Sequence, residues 1–421
     1  MNSLTKLKKE VEQDLLLNIL PYWMENTVDD RNGGFVGQVN HTNDKIWNAP
    51  KGGILNARIL WTFSACFRKY GTEKYKITAD RAYNYIKDFF IDEVNGGIYW
   101  TLDHNGIPLD DRKHVYAQSF AIYGLTEYYL AFKDKKALEL AKNIFELLEQ
   151  KCTDKANGGY FEAFSKNWEI EKDARLSEKD DNTPKSMNTH LHILEAYTNL
   201  YKCIPSKRIR SSISDLIDIF LDHIIDKKGR SLINFFDENW KPKSQVISYG
   251  HDIEACWLLN EAEEVLGSYH RKAELDELIV SISEKVLKNG IDGDFGILNE
   301  KELNKPLDKD KDWWPQAEGI VGFLNAYQLT RNIEFTEASI NLWNFIKKNM
   351  IDETFGEWHE KVSSSGDVYQ LDKVREWKCP YHNTRAALQV VERVNYMLEN
   401  NSSNILSEKK VKEKVSKAYV S

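Results

Sequence analysis

A short turn motif that returns six times along the chain constrains the fold more than any other feature of the sequence. Each copy places an aspartate just before one or two glycines, and most copies continue with β-branched or aromatic residues. Such glycines can adopt the positive φ of a tight turn, and the residues after them favour a short strand or hairpin. Self-similarity at a nearly fixed period indicates a repeated supersecondary unit. The aspartates recur at intervals of 60–72 residues and are Asp29, Asp92, Asp154, Asp226, Asp292 and Asp352.

Two amphipathic segments with helical periodicity fill each interval between the turn motifs. In each pair the first segment is apolar on nearly all sides, which is typical of a buried helix, whereas the second carries lysines and glutamates along one face. We therefore assign the first segments to an inner layer and the second to an outer layer. The predicted inner helices are 54–70, 116–132, 187–201, 251–266, 314–329 and 382–398. The predicted outer helices are 4–24, 74–90, 136–152, 208–225, 271–287 and 335–350.

Twelve helices in six pairs could form either an open solenoid or a closed ring. A solenoid needs polar capping repeats, but the first and last units are as apolar as the middle ones, and the N-terminal helix needs the C-terminal helix as its partner. The sequence therefore predicts an all-α fold, an (α/α)6 barrel with short β-hairpins in the connecting loops. We expect one catalytic domain over residues 1–399 and a flexible tail over 400–421, where lysines are scattered and large apolar residues are few.

The composition narrows the partners and the compartment of the protein. The net charge of −8 argues against a nucleic-acid partner, which needs a basic face, and no apolar run reaches membrane-spanning length. The N-terminal segment mixes charges into its apolar positions, so it indicates a first helix and not a signal peptide. Five scattered cysteines without a C-x-x-C pair suit a reduced, cytoplasmic chain. We expect a monomer that binds a small molecule, without a nucleic-acid or membrane partner.

Polar residues gather at the starts of the predicted inner helices, and the clearest case is the stretch Ser248–Leu259, SYGHDIEACWLL. His251 and Glu254 are three residues apart and share one face of the first helical turn. In a closed ring the inner helices run parallel, so their N-terminal ends meet at one rim, where we predict a pocket. The side chains placed there are Arg58, His114, Tyr116, Asn188, His192, His251, Glu254, Trp313, Trp314, Glu318, Trp377, His382 and Arg385.

Several polar residues near this rim also admit a purely structural interpretation. His190 and His192 are two residues apart and cannot share a helix face, so at least one of them is expected to be structural. His114 is equally suited to capping its own helix. Glu195 is equally suited to pairing with a buried arginine, and Trp257 lies deep enough in its helix to belong to the core.

The residue types at the rim favour proton transfer over hydrolysis or metal chemistry. A glycoside hydrolase needs two acids across the scissile bond, and the rim offers Glu254 and Glu318, but histidines outnumber them. Imidazoles titrate near neutral pH and suit proton transfer to and from carbon and oxygen. Arg58 suits a developing enediolate oxygen. Histidines and a glutamate could also bind a metal, but no H-E-x-x-H spacing occurs, so we predict neither metal nor cofactor.

Six segments of the chain resemble the cellobiose 2-epimerases, within the N-acylglucosamine 2-epimerase superfamily. They fall at all six predicted inner helices, and the resemblance as a whole covers about residues 10–395. The resemblance implies an (α/α)6 barrel and reversible, cofactor-independent epimerisation at C2 of the reducing-end glucose of β-1,4-linked disaccharides, such as cellobiose and lactose. The segments are KGGILNARILWTFSA, KHVYAQSFAIYGL, MNTHLHILEAY, SYGHDIEACWLL, WWPQAEGIVGFLNAYQ and WKCPYHN.

The same resemblance implies a role for most of the rim residues. His382 in PYHN resembles the general acid/base that moves the C2 proton, and His251 in GHDIE resembles its partner in ring opening, with Glu254 orienting His251. His192 and Arg58 match residues on the O1/O2 side of the sugar that would steady the enediolate. The substrate-binding set is completed by Tyr116, Asn188, Trp313, Trp314, Glu318, Trp377 and Arg385, of which Trp314 and Trp377 resemble stacking platforms.

The sequence is also compatible with two alternative functions. One is a different enzyme of the superfamily, an N-acetylglucosamine 2-epimerase or an aldose–ketose isomerase of the mannose/glucose type, which substrate choice would distinguish. The other is a non-catalytic glycan-binding toroid, which would be expected to keep the tryptophans and lose the histidines, whereas this chain has both.

Overall fold

The computed structural model describes residues 3–178 and 180–418, with side chains as far as residue 399. Within these ranges the chain forms twelve helices. The inner ones are α2 (Gly53–Tyr70), α4 (Val115–Phe132), α6 (Met187–Cys203), α8 (Tyr249–Leu266), α10 (Trp313–Thr330) and α12 (Tyr381–Ala418). The outer ones are α1 (Ser3–Asp14, Leu15–Ile19 and Leu20–Asn26), α3 (Glu73–Tyr85 and Ile86–Phe90), α5 (Lys135–Leu147 and Leu148–Cys152), α7 (Lys207–Ile219 and Phe220–Ile224), α9 (Lys272–Asn289) and α11 (Ile333–Asn349).

The inner helices form a closed ring. Each inner helix contacts the next inner helix along the chain, and α12 returns to contact α2. Every outer helix packs against its inner partner, and α1 fills the place beside α12 that the sequence assigned to it. The predicted (α/α)6 barrel is therefore confirmed.

The last inner helix extends beyond residue 399, the predicted end of the catalytic domain. Helix α12 continues to Ala418, but the side chains from residue 400 onward lie outside the described part, so the predicted flexible tail stays an expectation. In the described ranges no helix combines the length and the apolar character needed to cross a bilayer.

Short antiparallel strand pairs join the repeats along the rim at the N-terminal ends of the inner helices. The strand just before an inner helix pairs with the hairpin of the following repeat, and a bridge between Val39 and Val374 closes the circle. The pairs that join consecutive repeats are Lys51–Gly52 with Thr101–Leu102, Lys113–His114 with Ala163–Phe164, Lys185–Ser186 with Phe235–Phe236, Val246–Ser248 with Glu300–Glu302, and Lys311–Asp312 with Lys361–Val362.

The aspartate of each turn motif binds backbone N–H groups of its own turn, and in five repeats it also pairs with a buried lysine. Four of these lysines stand two residues before an inner helix, so each ion pair fastens a hairpin to a helix start. In the fourth repeat Ile247 occupies that position. The pairs and their N–O distances are Asp29–Lys51 (2.8 Å), Asp92–Lys113 (2.9 Å), Asp154–Lys185 (2.8 Å), Asp292–Lys311 (2.9 Å) and Asp352–Lys373 (2.6 Å).

Removing one of these lysines is expected to be strongly destabilising. Lys113→Met would leave Asp92 buried without its cation, which costs roughly 3–5 kcal/mol, whereas breaking an exposed pair costs about 0–1 kcal/mol. Lys76→Met, which breaks the partly exposed Lys76–Asp80 pair, is the matched control. Urea-induced unfolding followed by tryptophan fluorescence measures both. Equal losses in the two variants would contradict this prediction.

In several inner helices a side chain of the first turn forms hydrogen bonds with the backbone of the adjacent hairpin. Gln118 accepts from the Ile98 N–H at 2.7 Å and donates to the Ile98 carbonyl at 2.8 Å. In α8 the corresponding residue is Asp252, whose Oδ1 accepts from the Leu232 N–H at 2.7 Å, while Oδ2 has no partner among the described residues. Burial raises the pKa of Asp252 to about 7. This carboxyl therefore holds its proton more tightly than a free aspartate, at the position where α4 and α10 have the neutral amides of Gln118 and Gln316.

Asp252→Asn is expected to flatten part of the pH dependence of stability. A free aspartate ionises near pH 3.9, so the folded state binds this proton more tightly than the unfolded state. The stabilisation is complete below about pH 4 and is lost as the pH rises towards 7. Lys285 is the cation that opposes this shift. The urea midpoint of Asp252→Asn, measured relative to that of the unaltered protein, should therefore increase between pH 4 and 7. A difference between the two proteins that is independent of pH would contradict this prediction.

Candidate active site

A cavity of about 450 Å³ lies at the rim where the N-terminal ends of the inner helices meet. Its volume falls in the range of small-molecule sites. Ten of the twelve residues predicted to be catalytic or substrate-binding line it: Arg58, Tyr116, Asn188, His192, His251, Glu254, Trp313, Trp314, Trp377 and His382. The other two, Glu318 and Arg385, are each 1 % exposed and lie behind the cavity wall.

His382 is held by a buried carboxylate. Its Nδ1 lies 2.7 Å from Oε1 of Glu318, which also accepts from Arg385 at 2.7 Å and, through Oε2, from Trp257 at 2.9 Å. Because Glu318 receives donors on both oxygens, we assign the hydrogen of His382 to Nδ1, which leaves Nε2 free. Burial, together with the charges of Arg58 and Arg385, lowers the pKa of His382 well below its usual value. The imidazole is therefore neutral and can act as a base.

His192 forms a second pair of the same kind. Its Nδ1 lies 3.0 Å from Oε2 of Glu195, whose other oxygen accepts from the Tyr381 hydroxyl and from Arg385. Burial alone would raise the pKa of Glu195, but the charge of Arg385 and the His192 hydrogen bond lower it to about 2. Glu195 is therefore ionised, and His192 donates from Nδ1. The interpretation of Glu195 as the partner of a buried arginine is confirmed.

His251 is positioned by a serine and a tryptophan. Its Nδ1 lies 2.9 Å from Oγ of Ser248, and its ring packs on Trp314 with centroids 4.6 Å apart. The same indole lies 5.7 Å from the ring of His382, so the two imidazoles border one tryptophan and one cavity. Burial, with a smaller effect of His192, lowers the pKa of His251 to about 3.

Glu254 does not orient His251, which corrects the expectation from the sequence. Its Oε1 accepts from Arg385 at 2.6 Å and stands 3.9 Å from Nδ1 of His382. Burial, together with repulsion from Glu318, raises the pKa of Glu254. The cavity wall thus includes a carboxyl group that holds its proton more tightly than a free glutamate does.

Glu254, Glu318 and His382 have possible ligand atoms within 4.8 Å of one another. However, the Arg385 guanidinium donates to both carboxylates and already supplies the positive charge between them. The group is therefore accounted for as a buried ion-pair cluster.

Arg58 is a buried cation without a carboxylate partner. Its guanidinium donates to the Tyr116 hydroxyl at 2.9 Å and to Sγ of Cys379 at 3.6 Å, and it lies 4.1 Å from the ring centroid of Phe120. Among the described residues no carboxylate lies within ion-pair distance of it. Its charge is therefore available to an anion in the cavity.

Two of the rim histidines have structural roles. His114 caps α4 by accepting from the Tyr116 N–H at 3.3 Å, and its Nε2 lies 3.1 Å from the carbonyl oxygen of Ala174. His190 accepts from the Tyr160 N–H at 2.9 Å and donates from Nδ1 to the carbonyl of Ser186. Neither lines the cavity, so both structural interpretations are confirmed.

Of the predicted tryptophans, Trp377 forms a partly exposed wall next to Tyr116, and Trp313 is buried with its ring nearly perpendicular to that of His382. The remaining residues of the cavity wall lie outside the inner helices, and the sequence did not indicate them. The cavity is completed by residues from the hairpins and from the loop before α6. They carry no repeat or motif, and they are Leu176, Ser177, Glu178, Asp180, Asp312, Glu360 and Arg375.

The closed helical ring and its cavity define an enzyme of the α/α-barrel class, and comparisons with known proteins identify it as an isomerase that acts on sugars. Residues 33–386 match the model of the N-acylglucosamine 2-epimerase (GlcNAc 2-epimerase) family. The chain therefore belongs to this family. The predicted resemblance is confirmed.

Its relatives in this family include several cellobiose 2-epimerases. The chain is 44% identical to that of Bacteroides fragilis, over 91% of this chain and 98% of the relative, and 40% identical to that of Dictyoglomus turgidum, over 92% and 99%. The solved cellobiose 2-epimerase from Bacillus thermoamylovorans has a TM-score of 0.89 at 38% identity and covers 92% of this chain and 100% of its own. A solved D-mannose isomerase, 18% identical with a TM-score of 0.79, shares the fold.

Proposed function

We propose that this sugar epimerase reversibly inverts C2 of the reducing-end glucose of β-1,4-linked disaccharides, converting cellobiose to glucosyl-mannose and lactose to epilactose. The names of its relatives support the substrate class. The observation that carries the chemistry is that neutral imidazoles and an unpaired guanidinium line one cavity. The proposal needs no cofactor, because the reaction moves one proton and changes no oxidation state.

The reaction begins with opening of the pyranose ring, which exposes the C1 aldehyde and makes the C2 hydrogen acidic. One imidazole, His251 or His382, takes this proton, and the electrons of the C2–H bond move into a cis-enediolate. Rotation about C2–C3 presents the other face of C2, and the proton returns there. A neutral imidazole next to the substrate suits both steps, since its free nitrogen can accept the C2 proton and the imidazolium so formed can return it.

Arg58 stabilises the negative charge that appears on the enediolate oxygens. A buried guanidinium without its own carboxylate is already desolvated and oriented before the reaction begins. The hydroxyl of Tyr116 fixes its plane. Trp314 and Trp377 provide aromatic faces for the sugar rings.

We further propose that the enzyme acts as a monomer, because its ring of inner helices is closed within the chain. The five cysteines are free, and four of them are buried, which suits the reducing cytoplasm proposed as its location. Light scattering coupled to size-exclusion chromatography tests the oligomeric state directly.

Incubation of chelator-treated enzyme with cellobiose in deuterium oxide tests the proposed reaction. We expect glucosyl-mannose carrying deuterium at C2, at the same rate with and without the chelator. Parallel incubations with lactose, mannose and N-acetylglucosamine define the substrate class. Turnover restricted to mannose or N-acetylglucosamine would replace the proposal with one of the rival enzymes of the family, and a ketose labelled at C1 would reveal isomerisation.

A further inference from the structure

One guanidinium holds both histidine–carboxylate pairs of the site. Nη1 of Arg385 donates to Glu195 and to the Tyr381 hydroxyl, while Nη2 donates to Glu254 at 2.6 Å and to Glu318 at 2.7 Å. These acids belong to α6, α8 and α10, and the arginine belongs to α12, so four of the six inner helices meet at Arg385. The sequence placed this arginine among the substrate-binding residues, but it does not line the cavity.

We propose that Arg385 is a positioning residue that fixes the tautomer of two active-site imidazoles. Arg385 lowers the pKa of Glu195 and opposes the rise that burial causes in the pKa of Glu318. Because both side chains then accept from their histidines as carboxylates, His192 and His382 carry their hydrogen on Nδ1, and Nε2 of each stays free as a proton acceptor. This inference deepens the proposed function and rests on it for the role of the free Nε2 atoms.

The charge balance of the cluster explains why the arginine matters. Three buried carboxylates surround one guanidinium, and burial favours the protonated form of each carboxyl. Without Arg385, Glu195 and Glu318 would bind protons. A protonated carboxyl can donate to Nδ1 of its histidine, which moves the imidazole hydrogen to Nε2. An imidazole in that form cannot accept the C2 proton.

The geometry explains why a lysine cannot replace this arginine. The two terminal nitrogens of Arg385 serve acceptors in different directions, two on each nitrogen. An ammonium group is a single point charge, whereas the guanidinium is a rigid planar fork. The Arg385→Lys variant therefore keeps the positive charge, but its side chain cannot contact Glu195 and Glu318 at the same time.

The same helix provides a matched control. Arg393 lies two turns after Arg385 and donates to the amide oxygens of Asn325, Gln328 and Gln389. None of these acceptors is a carboxylate that holds a histidine. Arg393→Lys repeats the substitution at a partly buried position of α12 without touching the histidine pairs.

The experiment combines ¹⁵N-histidine NMR with kinetics on the full-length enzyme. Long-range ¹H–¹⁵N correlations should show His192 and His382 with hydrogen on Nδ1 in the unaltered protein. In Arg385→Lys at least one of them should shift to Nε2–H, and kcat with cellobiose should fall about 10²-fold or more while KM changes by only a few-fold. Arg393→Lys should keep both tautomers and kcat. Unchanged tautomers in Arg385→Lys, or equal kinetic losses in the two variants, would overturn the proposal.

A second measurement serves if Arg385→Lys does not fold. Glu195→Gln and Glu318→Gln each replace one carboxylate by a neutral amide, which can donate to Nδ1 as a protonated carboxyl would. His192 should therefore shift to Nε2–H in the first variant and His382 in the second, while the other histidine keeps its hydrogen on Nδ1. Histidines that keep Nδ1–H in both variants would overturn the proposal. The tautomers are observed without substrate, so failure to convert cellobiose would reject the proposed function and leave the positioning role to be judged by NMR.

Discussion

His382→Asn is expected to lower kcat for cellobiose epimerisation by about 10²–10⁴-fold, the usual contribution of a general acid/base, with little change in KM. His382 lines the cavity and uses Nδ1 for its bond to Glu318, and its neutral imidazole is the group that the proposed reaction needs at C2. Asparagine can still donate from near the position of Nδ1, so the hydrogen bond to Glu318 is expected to survive and the buried cluster to stay intact. Initial rates of glucosyl-mannose formation, with thermal unfolding as the test of folding, provide the measurement.

Deuterium exchange makes this experiment more specific. The C2 hydrogens of cellobiose and glucosyl-mannose are followed separately in deuterium oxide for His382→Asn and for His251→Asn. If each imidazole serves one face of C2, each variant retains exchange with only one of the two sugars. If a single imidazole serves both faces, its variant loses exchange with both.

The control for these variants is a histidine outside the cavity. His270 is largely exposed and lies near Asp218, so His270→Asn should retain normal activity. A His382→Asn enzyme with near-normal turnover would remove His382 from the mechanism.

Arg58→Met is expected to lower kcat by about 10²–10³-fold, the loss seen when one oxyanion-stabilising donor is removed. The same substitution should leave the melting temperature unchanged or raise it. A buried charge without an ion-pair partner is costly to desolvate, and an apolar side chain of similar length removes that cost. Such a combination of lost activity and retained stability indicates a residue kept for function. Steady-state kinetics with cellobiose and thermal unfolding measure the two effects.

Arg68→Met provides the comparison on the same helix. Arg68 is about half exposed and pairs with Glu127 at 2.7 Å, far along α2 from the cavity. This variant should retain kcat. An Arg58→Met enzyme that loses activity only in proportion to a fall in melting temperature would show that Arg58 supports the fold and not the enediolate.

The repeat pattern was sufficient to predict the barrel, because it is a local property of the chain. Turn glycines at a nearly fixed spacing and paired amphipathic segments can be recognised directly in the sequence. Closure of the ring was inferred from the apolar character of the first and last units. The contact of α12 with α2 confirms it. The lysines that pair with the turn aspartates went unnoticed, since a buried Lys113 looks like any surface lysine until its depth is known.

The sequence also predicted most of the cavity, because parallel inner helices bring their first turns to one rim. His251, His382 and Arg58 were placed there from their positions in the repeat. The partners of these residues could not be predicted in the same way. Glu254 stands three residues after His251, but it turns towards Arg385, and Ser248 holds the imidazole instead.

The sequence by itself determined the fold, the rim and most of the residues that line the cavity, since helical periodicity and the spacing of the turn motifs can be recognised in the sequence alone. Only the tertiary structure decided the protonation and tautomers of the histidines. Those depend on which carboxylate meets which imidazole, and Arg385 reaches Glu195 across 190 positions of the chain. Burial then strengthens each of these electrostatic contacts, because charges separated from water interact far more strongly than charges at the surface.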